Sequence, residues 1–265
     1  LPPGDIRNCL VALSNAPPVV EKLLQYRYDD DRLGGHSFGN LFITTLHRIT
    51  GDFSQAVRTA GQVLSIAGEV LPSTTDRVAL VANHKDGSVT TGQSEIQNNP
   101  SPVETVELRP TPSEVHPDIV HAIKDAGAIV LGPGSLYTSV IPNLLVPGMT
   151  RAIRDSYGLK IYICNILTQT GETVGMTAQD HVRAIERHAG GRIFDVVIVN
   201  SARSDIPEYR AGQSFVEYDA YELKVMGYRV VEADLIGKFL LHDEEKVARK
   251  VIELVNQKVT EETAI

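Results

Sequence analysis

The stretch Ala128-Ile129-Val130-Leu131-Gly132-Pro133-Gly134-Ser135-Leu136-Tyr137-Thr138-Ser139 brings together the residue types that hold negatively charged oxygen. A short apolar run ends in Gly-Pro-Gly, and a helix-compatible segment follows from Ser135. The first turn of a helix carries amide N–H groups with no internal partner, and the aligned peptide dipoles add partial positive charge. Glycine lets an anion approach the backbone, and hydroxyl side chains add donors. Gly132, Gly134, Ser135, Leu136, Tyr137 and Thr138 therefore form a candidate cradle for a phosphate or diphosphate. Each charge-assisted hydrogen bond to such a ligand contributes roughly 1.5–3 kcal/mol net. The stretch is not a P-loop, because no Gly-Lys-Ser/Thr follows at the required spacing. It departs from the dinucleotide fingerprint, with Tyr137 where a third glycine belongs and Asn165, not an acid, ending the next strand. A tight strand-to-helix turn without a ligand is the competing reading, since glycine-rich turns are common in α/β folds.

Three apolar runs end alike, in Leu131-Gly132, Cys164-Asn165 and Val199-Asn200. In open α/β sheets ligands sit beyond the carboxyl ends of the strands, so these ends predict a shared cleft. The segment Leu167-Thr168-Gln169-Thr170-Gly171-Glu172-Thr173 supplies an amide, hydroxyls and one acid, which suit a sugar or base edge. Asn165, Thr168, Gly171, Glu172 and Asn200 are candidates there, with Glu172 expected to orient the ligand; a solvated turn is the alternative. Two more groups lie near the start: Asp5, Arg7 and Asn8, and then His36, Gly39 and Asn40 within Gly34-Gly35-His36-Ser37-Phe38-Gly39-Asn40. Arg7 is suited to pair with a phosphate, as Arg203 or Arg210 are from the far end of the chain, and Tyr209 is suited to stack on a base. Asp5 and His36 are the candidate acid–base groups, and the catalytic assignment stays open. No metal motif is present: the eight histidines are scattered and neither H-E-x-x-H nor paired C-x-x-C occurs. Mg²⁺ needs few protein ligands, so an ion beside a nucleoside diphosphate, near Asp5 or Glu172, stays compatible with the pattern. Ser135 does not stand in a nucleophile elbow, because Tyr137 occupies the place of the final glycine of G-x-S-x-G.

These residues need a scaffold, and the hydrophobic period supplies one. Helical spacing runs from Asp5 to Leu13, from Pro18 to Tyr26, from Ser37 to Ile49 and from Phe53 to Ile66, with Asp52 placed to cap the last. Asp29-Asp30-Asp31 reads as a solvated loop. Val78–Ala82 and Val89–Ile96 flank Asp86-Gly87, a strong hairpin signal, and Val103–Leu108 alternates apolar and acidic residues. Residues 70–110 are therefore expected to form a small antiparallel β insertion. Strands at Ala128–Leu131, Lys160–Cys164, Asp195–Val199 and Arg229–Ala233 alternate with helices, which predicts a Rossmann-like α/β fold with a parallel sheet flanked by helices. Asp243–Val259 is an amphipathic terminal helix.

Composition narrows the function classes. The 265 residues suit a single α/β domain spanning 1–265, with 42% hydrophobic and 22% charged residues. A net charge of −8 argues against nucleic-acid binding, and an anionic ligand then needs local donors. No apolar run of about 18 residues predicts a membrane span. Cys9 and Cys164 read as reduced thiols of a cytoplasmic protein. Homo-oligomerisation is left open.

Taken together, Leu1-Pro2-Pro3-Gly4-Asp5-Ile6-Arg7-Asn8, Gly35-His36-Ser37-Phe38-Gly39-Asn40-Leu41, Gly132 to Asn143 and Asn165 to Thr173 resemble, in order and over nearly the whole chain, the gluconeogenesis factor family (YvcK-like, UPF0052). That family is related to the 2-phospho-L-lactate transferases (CofD-like). The resemblance implies a UDP-sugar ligand such as UDP-N-acetylglucosamine and a link to gluconeogenic growth and cell shape. The transferase branch, which moves a phospholactyl group from a guanosine diphosphate-activated donor to a deazaflavin, is the alternative. It also implies an N-terminal strand, a Gly-Gly-Gly-Thr-Gly loop and an Asp-Asp-Gly-Gly-Ser segment ahead of Leu1, whose aspartates would be the natural Mg²⁺ ligands. Thr170 stands where the family usually has proline, and Leu241-His242-Asp243 replaces Arg-His-Asp.

Overall fold

The computed structural model describes residues 4–29, 33–210 and 212–263, without the side chains of Tyr209 and of residues 261–263. The sequence pattern was read as one domain; by packing, the chain falls into two compact units, Leu1–Arg77 and Val78–Ile265.

The first unit is helical: α1 (Gly4–Ala12), α2 (Pro18–Gln25), α3 (Phe38–Thr50) and α4 (Phe53–Val63). Local chemistry sets the ends. Ser37 caps α3 by accepting from the Asn40 N–H, and Gly51 stops it in the left-handed region at φ 71°. The expected Asp52 cap accepts from the Gln55 N–H at 2.7 Å. The apolar faces meet in a core of Leu10, Leu24, Ile43, Phe53, Val57, Ala60 and Leu64. Of the acidic run, Asp29 is exposed, and Asp30 and Asp31 lie outside the described residues.

The second unit begins with the small antiparallel sheet, order β2-β1-β3, built from β1 (Ala79–His84), β2 (Val89–Thr91) and β3 (Val103–Arg109). The β1–β2 turn sits at Asp86-Gly87, where Asp86 accepts from the Ser88 N–H and Gly87 adopts φ 84°. The expected strand Val89–Ile96 stops early. Gly92, at φ 92°, turns the chain into α5 (Gln93–Asn98), which buries Ile96.

Next come α6 (Pro117–Asp125), β4 (Ala128–Leu131), a π-helical turn over Leu136–Val140, α7 (Ile141–Leu144), α8 (Met149–Asp155), β5 (Leu159–Ile163), α9 (Ala178–Ala189), β6 (Val196–Asn200), α10 (Ala220–Val225), β7 (Arg229–Ala233) and α11 (Glu244–Thr263). The four strands pair in parallel in the order β4-β5-β6-β7. Burial grades across the sheet: β6 is buried throughout, whereas Val130 on the edge strand β4 is 42% exposed. Ile161, Ile163, Val196, Ile198, Leu235 and Leu254 form the core, with Val247 and Val251 of α11 packed on it. No described helix is long and apolar enough to cross a membrane.

Candidate functional site

The loop after β4 is tailored for close approach. Gly132 has φ 79°, and a Cβ there would stand 3.1 Å from the Ile163 carbonyl oxygen, so only glycine fits without strain. Asn165, just past β5, clamps the loop: its Nδ2 donates to the Gly134 carbonyl at 2.9 Å, and its Oδ1 accepts from the Gly134 N–H at 3.4 Å. Gln169 Nε2 donates to Ser135 Oγ at 2.9 Å.

The helical turn that follows already holds an anion, and it is the protein's own. Glu172 is 3% exposed. Its Oε2 accepts from the Tyr137 N–H at 3.1 Å, and its Oε1 accepts from Thr138 Oγ1 at 2.8 Å and from Gln97 Nε2 at 3.1 Å. A carboxylate at a helix start is favoured by the same unpaired amides and dipole that attract phosphate. Glu172 is thus turned into the fold, and the Tyr137 amide and Thr138 hydroxyl are bonded to it. Gly171 serves the same latch: at φ 78°, any Cβ would sit 2.0 Å from the Gln97 carbonyl oxygen. Leu136 and Tyr137 bury their side chains, and burial pushes the Tyr137 phenol up to about 12. The Ser139 and Val140 N–H groups donate to the Ser135 carbonyl, which leaves the Ser135 and Leu136 N–H groups without a partner among the described residues.

Two other expected ligand groups are also internal. Thr168 is buried and its Oγ1 accepts from the Ser214 N–H at 2.9 Å. Asn200 is buried, accepts from the Leu235 N–H at 3.1 Å and donates to the Ala202 carbonyl at 2.8 Å, bracing the ends of β6 and β7. Asp5, Arg7, Asn8, His36, Gly39 and Asn40 all belong to the first unit. There Arg7 bonds Ser37, Asn40 and Asn8, and Gly39 is packed against the Arg7 side chain, whereas Asp5 and His36 are exposed. The Tyr209 side chain lies outside the described residues.

Beyond the strand ends a cavity of about 430 Å³ opens. It is lined by Pro133, Gly134 and Ser135 of the loop after β4, by Asn165, Leu167 and Gln169 after β5, and by Arg210, Gln213, Leu240, Leu241 and His242. None of its lining residues is acidic. Arg210 donates through Nη1 to Gln213 Oε1 at 3.1 Å, and its Nε is buried with no acceptor. Arg203, the other arginine considered for this end, is paired with Glu217 at 3.0 Å. His242 Nε2 lies 3.2 Å from the Cys164 carbonyl oxygen; burial pushes its pKa down, and that hydrogen bond partly offsets the effect. Burial also pushes the Cys164 thiol up to about 12, so it stays protonated. His242, Gln213 and Leu240 also line the cavity and were not among the expected ligand residues. The signal was available: Gln213 follows β6, and Leu240 and His242 follow β7, on the strand-end side where ligands bind.

Among the described residues the cavity wall carries no carboxylate, Glu172 is bonded within the turn, and no group of three or more His, Cys, Asp or Glu able to hold a metal occurs, so these residues offer Mg²⁺ no carboxylate ligand.

A parallel sheet whose glycine loop and strand ends border such a cavity places the chain in the class of the 2-phospho-L-lactate transferase CofD, whose family model matches residues 1–236. Within that class the chain belongs to the gluconeogenesis factor family (UPF0052). It is 40% identical over 266 residues to the gluconeogenesis factor of Bacillus subtilis, covering 97% of this chain and 83% of that protein. A relative from Clostridium acetobutylicum is 41% identical over 269 residues; this chain spans only 60% of that protein's length. A crystal structure of a UPF0052 member from Bacillus halodurans superposes with a TM-score of 0.91 at 39% identity, covering 95% of this chain and 83% of the other.

Proposed function

We propose that this chain binds the diphosphate of a nucleotide sugar, of the UDP-N-acetylglucosamine kind, in the cavity beside Gly134 and Ser135. The observation that carries this reading is the cavity's charge. In a chain of net charge −8, its wall has no acid and one arginine whose Nε lacks an acceptor. A buried guanidinium N–H without an acceptor is costly, and an anionic ligand supplies what it lacks. The unpartnered Ser135 N–H adds a backbone donor. Any Mg²⁺ in this cavity is held by the ligand's own phosphates and water. Binding without turnover, in the cytoplasm, linked to carbon supply and cell shape, is the reading we favour. The free thiols of Cys9 and Cys164 support a reducing compartment. The family model supports the second reading, transfer from a nucleoside diphosphate-activated donor to a deazaflavin; turnover of that pair would establish it.

Ser135 offers a clean test. Its φ of −57° suits proline, so Ser135→Pro removes one N–H with little backbone cost, and Ser135→Ala controls for the hydroxyl. By calorimetry, Ser135→Pro weakens pyrophosphate and UDP-N-acetylglucosamine binding roughly tenfold, while Ser135→Ala stays within about twofold. Equal affinities for the proline variant and the parent chain would remove the phosphate assignment.

A further inference from the structure

His242 carries an inference that rests on the reading above and extends it. The backbone that carries it is held at several points. Ile236 and His242 form an antiparallel bridge, the Gly237 N–H donates to the Leu241 carbonyl at 2.8 Å, and the Asp243 N–H donates to the Leu235 carbonyl at 2.9 Å. Between them Phe239 and Leu240 hold left-handed φ values of 58° and 57°, conformations that non-glycine residues keep only where the surroundings impose them. At the ring, Nε2 sits 3.2 Å from the Cys164 carbonyl oxygen. A carbonyl only accepts, so Nε2 carries the proton, and in the neutral imidazole Nδ1 is then a bare acceptor. Nδ1 has no partner among the described residues and is not sealed from solvent, and the residue lines the cavity that holds Ser135 and Arg210.

We infer that His242 is a recognition residue whose Nδ1 accepts a hydrogen bond from an N–H or O–H group of the ligand, next to its phosphates. The site therefore selects a phosphate ester carrying a donor, such as a base imide or a sugar hydroxyl, over a bare phosphate anion. Arg210 and the Ser135 amide take negative oxygen and offer no acceptor; His242 provides a complementary acceptor in the same cavity.

The test uses the full chain and two probes, UDP-N-acetylglucosamine and inorganic pyrophosphate, the second having no organic donor. His242→Gln keeps a donor for the Cys164 carbonyl but removes the acceptor at the Nδ1 position; His242→Asn keeps an acceptor near that position. The expected result is roughly tenfold weaker binding of UDP-N-acetylglucosamine by His242→Gln, unchanged pyrophosphate binding, and an intermediate affinity for His242→Asn. Unchanged nucleotide-sugar affinity in His242→Gln, or an equal loss for both probes, overturns the inference while leaving the phosphate reading in place. Should His242→Gln fail to fold, ¹⁵N NMR of the imidazole in the parent chain decides: a protonated Nδ1 with a bare Nε2 overturns the assignment, and the reverse, with Nδ1 shifting on addition of UDP-N-acetylglucosamine, supports it. If the parent chain binds neither probe, the phosphate reading fails and this inference fails with it.

Discussion

Arg7 in the helical unit and Arg210 in the sheet unit share one feature, a buried Nε with no acceptor. They differ in how many acceptors the rest of the guanidinium has. Arg7 Nη1 donates to Ser37 Oγ at 2.7 Å and Asn40 Oδ1 at 3.3 Å, and Nη2 donates to Asn8 Oδ1 at 2.9 Å. That set ties α1 to the capped start of α3, and Gly39 is glycine because a Cβ would stand 2.6 Å from the Leu24 carbonyl oxygen and 2.7 Å from Arg7 Cδ. Arg210 has one neutral partner, Gln213, and faces a cavity without an acid. An arginine whose neighbours supply its acceptors belongs to the structure. One with a single neutral acceptor at a cavity wall is free for a ligand. Glu172 and Ser135 repeat the contrast within the sheet unit: the carboxylate is spent on the turn, whereas the Ser135 amide is open.

The contrast can be tested from its structural side first. Gly171→Ala places a Cβ against the Gln97 carbonyl at 2.0 Å and on a positive φ, which breaks the latch that seats Glu172. It should cost about 3–4 kcal/mol in urea denaturation. A loss under about 1 kcal/mol would mean the latch relaxes freely. Arg7→Met should cost about 2–3 kcal/mol, because buried Ser37 and the Asn40 side chain lose a charged donor. If Arg7 were instead a ligand residue, stability would hold and only binding would suffer. Arg210→Met should do the opposite. Stability changes by no more than about 0.5 kcal/mol, while calorimetry shows pyrophosphate affinity down roughly tenfold, about 1.4 kcal/mol. A reversed pattern, with melting collapsed and binding intact, would break the comparison.

The smallest effect concerns pH. Burial holds the pKa values of His181, His188 and His242 below the usual 6.5 in the folded chain. The unfolded chain therefore takes up protons first as pH falls through about 6.5, and the stability carried by neutral, buried imidazoles is lost with it. The denaturation midpoint should drop between pH 7.5 and 5.5. A midpoint that rises over that interval would mean these rings gain partners on protonation.

Much of the scaffold was legible in the chain because its signals are local. β4 and β7 fall where their apolar runs do, the Asp86-Gly87 turn forms where hairpin chemistry places it, and Asp52 caps the helix that follows it. Val89–Ile96 misled because two weak local patterns overlap there, and Gly92 with the burial of Ile96 decides for a turn and helix. The site was legible only as a neighbourhood. The Gly-Pro-Gly loop and Asn165 do line the cavity, but nothing near Glu172 in the sequence announces that Gln97, 75 positions away, and the Tyr137 amide will consume it.

What the sequence determined alone is the parallel strands, the glycine loop that follows the first of them, the caps and turns, and the charge balance that demands local donors for an anion. Each depends on residues a few positions apart, whose periodicity and φ preferences act before any packing. What only the tertiary structure decided is which polar groups remain available. Glu172, Thr168 and Asn200 are satisfied internally, and Ser135, Arg210 and His242 are left facing the cavity, because a donor or acceptor is free or spent according to partners that folding brings from distant segments.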